Sequence, residues 1–100
     1  MTIGMSQEGS DRATAYNISN KIVRRGDHLF VGWLDTPRKK EGMVRIRMAV
    51  CDGRTGEPFR IFTLGEGIDN HCGPALTMDR NRRLHAVIGA HHGDFFYRWS

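Results

Sequence analysis

Two segments of this chain repeat each other. KIVRRGDHLFVGW (residues 21–33) and ALTMDRNRRLHAVIG (residues 75–89) superpose at an offset of 55 residues, setting Leu29 over Leu84, Val31 over Ala86 and Trp33 over Ile88. Each copy reads as a strand, a turn of mixed charge, and a second strand that opens on a polar residue and a leucine. A third strand follows in both, at Val44 and again at Phe95, and a fourth follows only in the first copy. No segment holds a 3.6-residue period over ten residues, so no long helix is expected. Strands are expected over 17–24, 28–35, 44–51, 58–64, 74–79, 83–91 and 95–100, separated by Gly-rich turns such as Asp52–Glu57. Short strands at this spacing mean an all-β antiparallel protein.

A four-stranded unit recurring after roughly 40–55 residues is the pattern of propeller blades, with a simple sandwich as the alternative. Blades bury both faces against their neighbours, which suits middle strands that are apolar on both parities, as in LFVGW and AVIG. The expected organisation is a loose tail or partial edge strand over 1–15, a first blade over 16–67 and a second, incomplete blade over 68–100. That is about one complete blade plus most of a second. Repeat units cannot bury their faces singly. The chain therefore reads as an N-terminal piece of a longer propeller, to be completed by further blades or by self-association.

Composition narrows the partners. Hydrophobic residues make up 39% and charged residues 26%, a globular balance. Net charge is +4 and the isoelectric point is near 9.6, which admits a polyanionic partner. The eleven acidic residues are interspersed with the basic ones, and Arg24-Arg25, Arg38-Lys39-Lys40 and Arg82-Arg83 fall at predicted turns. No long basic run supports nucleic-acid binding, whereas an acidic polysaccharide suits the charge. No apolar run approaches the roughly 20 residues that span a bilayer, so no membrane partner is expected. The first fifteen residues lack the basic start and apolar block of a signal peptide. Cys51 and Cys72 form no close metal pair, and both a disulfide and two free thiols stand open.

Four of the five histidines lie between Ile68 and His92. The turn between the two strands of that stretch centres near Arg80 and Asn81. His71 lies ten residues before Asn81 and His91 ten after it. In an antiparallel hairpin such positions face each other at roughly 5 Å, so His71, His91 and His92 are expected at one rim. Tyr16-Asn17 and Leu34-Asp35 of the first copy should share that rim. Three chemistries fit. Facing imidazoles resist double protonation, leaving one as a base near neutrality. His71 and Cys72 with His91 or His92 are ligand types that zinc accepts, although the spacing matches no closed structural site. Asn70 and His71 can also simply bond loop backbone. His85, on the parity of Val87, is expected in a core or between sheets, and His28 in solvent. Tyr97 and Trp99 share one face of the last strand, whereas Phe96 and Arg98 share the other, as packing residues or as a sugar platform.

The arrangement IDNHCGPALTMD, a turn, RLHAVIGAHHG and YRWS resembles the bacterial-neuraminidase-repeat (sialidase-like) propeller proteins, in particular the branch of ulvan lyases and related uronate polysaccharide lyases. The resemblance covers residues 16–100 and is strongest from Asp69 onward. The Asp-box Ser-x-Asp-x-Gly-x-Thr-Trp is not intact: Asp52-Gly53-Arg54-Thr55-Gly56 occupies a comparable turn without the spacing, so sialidase activity is not implied. The resemblance implies a propeller that cleaves an acidic polysaccharide by β-elimination. It implies catalytic roles for His71 and for His91 or His92, and substrate binding by Asp69, Asn70 and Arg98. It implies no cofactor or metal at these residues, structural zinc or calcium belonging elsewhere in a parent protein. The catalytic tyrosine and carboxylate-binding arginine of such lyases lie in later blades, so this chain alone is expected to be inactive. A non-catalytic glycan- or protein-binding propeller is the other reading, and the family implies a secreted or periplasmic protein.

Overall fold

The computed structural model describes residues 2–14, 19–36, 43–89 and 94–100. These form seven strands and no helix: β1 (Ile22–Arg25), β2 (His28–Asp35), β3 (Val44–Asp52), β4 (Pro58–Gly67), β5 (Ala75–Met78), β6 (Leu84–Ile88) and β7 (Phe96–Trp99). Strands β1-β2-β3-β4 make one antiparallel meander and β5-β6-β7 a second. The all-β expectation holds, and the strand order reproduces the repeat. Between β5 and β6 the register pairs Ala75 with Val87, Leu76 with Ala86 and Thr77 with His85, centred on Asn81 as the sequence pattern predicts.

Two strand ends differ from expectation. β4 continues through Gly65-Glu66-Gly67, where the sequence suggests a flexible connection, because these residues still pair with Ile46, Arg45 and Val44 across a bulge. Glycine here marks close approach of another element rather than a break in the strand. β6 stops at Ile88, and His91 and His92 lie outside the described residues. So do Tyr16 and Asn17.

The two sheets stack face to face. Phe30, Leu34 and Ile46 of the first sheet share one buried cluster with Leu84, Ala86 and Ile88 of the second. The opposite face of the first sheet carries Leu29, Val31 and Trp33, which gather around Ala49 and Cys51. The sequence repeat equates Leu29, Val31 and Trp33 with Leu84, Ala86 and Ile88. The two sheets therefore meet through opposite faces of the repeat, and the stacking is head-to-tail rather than mirror-like. One face of the second sheet, with Thr77, His85, Val87, Tyr97 and Trp99, is left pointing outward.

The N-terminal segment covers the outer face of the first sheet. Ser10 N–H donates to the Leu34 carbonyl (3.0 Å), Leu34 N–H to that of Ala13 (2.9 Å) and Thr36 N–H to that of Glu8 (2.8 Å). Met5 and Ala13 pack against the Trp33 cluster. Edge pairing is limited to the bridge between Gly9 and Asp35. Asp35 is 4% exposed, so its carboxylate needs partners to offset lost hydration. It accepts from Ser6 Oγ (2.6 Å) and Trp33 Nε1 (2.7 Å). Arg47 Nε stands 3.6 Å away, and Arg45 Nη2, 3.8 Å away, also meets Glu8 at 2.6 Å.

Bare backbone sets how close the sheets come. An added Cβ at Gly32 would stand 2.8 Å from Pro74 Cγ, and one at Gly65 2.7 Å from Ile88 Cδ1. At Gly67 it would overlap Cys72 Cβ outright. Gly67→Ala must therefore displace the Asp69–Cys72 turn, and we expect a loss of about 1–3 kcal/mol of stability in urea unfolding. Gly4→Ala, with open space around it, serves as the control and is expected to leave the midpoint unchanged.

Candidate functional site

The turn between β4 and β5 holds three of the residues singled out from sequence. Asp69 organises it. Its Oδ1 accepts from the backbone N–H of His71 (2.8 Å) and lies 3.7 Å from the Cys72 thiol, while Cys72 N–H donates to the Asp69 carbonyl (3.3 Å). Aspartate suits this position because its short carboxylate reaches backbone two residues on. Cys72 is fully buried beneath Gly67, and Asn70 and His71 are half-buried. The β5–β6 ladder ends at Ala75, so it is the Asp69 turn, not strand pairing, that fixes the backbone of His71. Asp69, expected as a substrate ligand, is thus engaged with its own loop.

Arg98 is placed elsewhere. It pairs with Ala86 in the middle of β6 and lines a cleft of about 470 Å³ between the outer parts of the two sheets. Arg25, Arg60, His28 and Trp99 border the same cleft, over apolar surface that includes Phe62 and Leu84. Asp35, expected on the histidine rim, lies at that end of the sheet, level with Arg45 and Glu66, but is buried under the N-terminal segment.

A further constellation went unread in the sequence. His85 Nε2 lies 2.8 Å from Asp79 Oδ2, and His85 Nδ1 lies 2.6 Å from the hydroxyl of Tyr97. The rings of His85 and Tyr97 stack at 5.8 Å and 14°. The second oxygen of Asp79 accepts from the backbone N–H of Asn81 (2.8 Å) and Arg83 (3.0 Å), closing the β5–β6 turn. Arg83 in turn lies over the Trp99 ring at 4.8 Å. In the tautomer where Nε2–H donates to Asp79, Nδ1 accepts a hydrogen bond from the Tyr97 hydroxyl, so the three groups form one continuous hydrogen-bond chain. His85, expected in a core or between sheets, stands on the outward face of the second sheet, which is turned away from the first. The missing signal is the β6–β7 register. Trp99 pairs with His85 and Tyr97 with Val87, a relation fixed by a loop whose length of pairing cannot be read from residue types.

Both cysteines are buried, on opposite faces of the first sheet, Cys51 in the Trp33 cluster and Cys72 between the sheets. Burial raises the Cys51 thiol pKa, which makes it inert packing rather than a nucleophile. Among the described residues, no three His, Cys, Asp or Glu side chains gather as a metal site, and no helix is long and apolar enough to cross a membrane. No protein-family model, curated protein or solved structure matches the chain.

The Asp79 carboxyl is held below its ordinary pKa, first by the Arg83 backbone hydrogen bond and next by His85. A depressed carboxylate contributes stability above the unfolded-state value of about 3.9, and that contribution is lost as pH falls through the folded value. Asp79→Ala should therefore lower the melting temperature at pH 7. The gap from the parent protein should close as thermal scans are repeated at successively lower pH below about 4.

Proposed function

We propose that this chain contributes two successive blades to a carbohydrate-active propeller that acts on an acidic, uronate-containing polysaccharide by β-elimination. The observation that carries this reading is the head-to-tail stacking of two meander sheets, with the Asp69–Cys72 turn packed at their junction against Gly67. Elimination needs a neutralised carboxylate, a base for the adjacent carbon-bound proton and an acid for the leaving oxygen. His71, its backbone clamped by Asp69, is the base or its assistant, together with His91 or His92. The net charge of +4 suits a polyanion. The remaining groups come from further blades of the parent protein.

The test is release of unsaturated uronate, followed by its ultraviolet absorbance, from a protein carrying this chain together with further blades. His71→Ala is expected to lower the rate by roughly 10²-fold or more, the usual worth of a general acid or base. An unchanged rate removes His71 from the chemistry.

A second reading, glycan binding without chemistry, is favoured by a separate observation. Tyr97 and Trp99 stand 57% and 58% exposed on one open face, with Arg83 over the indole. Calorimetry with uronate oligosaccharides then gives binding without product, lost in Trp99→Ala.

A further inference from the structure

The two sheets differ in one respect. In the first, β3 is flanked by β4; in the second, β7 takes the place of β3, and among the described residues nothing pairs with its far edge. An open edge presents a row of backbone donors and acceptors to any extended chain. The cleft of about 470 Å³ lies at that edge, where a fourth strand would stack on β4. Met48, Phe62 and Leu64 form one wall, and Leu84 and Ala86 the other. Phe59 stands 60% exposed at its mouth.

Charge and polarity select the occupant. Arg25, Arg60, Arg98 and His28 line the cleft, and among the described residues no Asp or Glu side chain does. The apolar walls offer nothing to the hydroxyls of a sugar, whereas alternate side chains of a strand fit a slot between two sheets. A second copy of this chain is a poor match, because its own outer strands β1, β4 and β7 each carry arginine.

We propose that the cleft binds an extended, acidic peptide segment of a partner protein, which adds antiparallel to β7 as the fourth strand of the second sheet. Alternate apolar side chains enter between the sheets, and Asp or Glu residues at the segment's ends meet Arg25, Arg60 and Arg98. The proposal does not rest on the lyase reading, in which the strand that completes the second sheet would instead come from the parent protein.

The probe is a synthetic peptide of alternating valine and threonine closed at both ends by paired glutamates, titrated into the full chain. Trp99 borders the cleft, whereas Trp33 is buried on the far side of the first sheet, so an emission change should come from Trp99 and vanish in Trp99→Phe. The expected result is saturable one-to-one binding with slowed amide exchange over residues 96–99. A central proline in the peptide, which removes a ladder donor, should abolish binding. Lysines in place of the glutamates should weaken it by about tenfold or more, and R60E with R98E should invert that preference. The peptide-side changes leave the protein unaltered, so they decide the matter even if the double variant folds poorly. Absence of saturable binding overturns the proposal, as does equal binding of the proline or lysine peptides. Sedimentation showing a dimer that protects residues 96–99 without peptide assigns the cleft to a second copy and likewise overturns it.

Discussion

The approach of Cys72, Pro74 and Ile88 to bare backbone at Gly67, Gly32 and Gly65 is the contact on which the rest of the molecule depends. Two packed sheets ordinarily lie about 10 Å apart. Where glycine removes the side chain from one of them, the spacing shrinks locally. Here that happens toward the ends of β2 and β4, beside the Asp69 turn. The sheets are drawn together there and splay toward Phe59, Arg60 and Trp99, where large side chains line an open cleft. One constraint thus shapes both features with functional promise: a half-buried histidine turn where the sheets meet and a groove where they part. Stability follows the same division. Leu34, Ile46, Ile88 and Cys72 near the closed end are fully or almost fully buried, whereas β7 is exposed along its whole length.

Much of the charge in this chain serves its turns. Asp52, Asp69 and Asp79 each accept a backbone N–H two residues on, at the β3–β4, β4–β5 and β5–β6 connections. Arginines then tie turns together. Arg24 donates to the carbonyl of Gly53 (3.1 Å) and Arg25 to that of Arg82 (3.2 Å), linking hairpins far apart in sequence. A guanidinium suits this work because it presents several donors in a fixed plane. These arginines look like surplus charge in a composition, yet Arg24 ties two turns of the first sheet together and Arg25 connects the two sheets at the rim opposite the Asp69 turn.

The sequence disclosed the strands more fully than the site. Alternation in VRIRMAVC, apolar runs in HLFVGWLD and the turn at Asp52–Glu57 each reported local backbone, so the seven strands and the β5–β6 register were readable. Glycines were misjudged where local and tertiary meanings differ: Gly65 and Gly67 resembled a hinge but are the bare patch against which Ile88 and Cys72 pack. The same limit hid the neighbours of His85. Its link to Asp79 spans a hairpin, but its link to Tyr97 depends on a register set across a second connection. The N-terminal segment was unreadable for another reason. MTIGMSQEGS carries no strand pattern, and only the Trp33 face beneath it gives Met5 a place to pack.

Head-to-tail stacking has an inherent direction, and an interface of that kind can in principle extend without end into a fibre. This molecule is finished at only one pole. On the first sheet, Met5, Ala13 and the ionic knot around Asp35 sit where the next sheet would land, so propagation that way requires peeling off the whole N-terminal segment. On the second sheet the aromatic face is bare. Growth can therefore start at one pole but cannot continue through the other. Two molecules that met through their bare faces would form a symmetric pair and stop. The short polar segment at the N-terminus, the least structured part of the sequence to the eye, thus occupies the face on which a further sheet would stack.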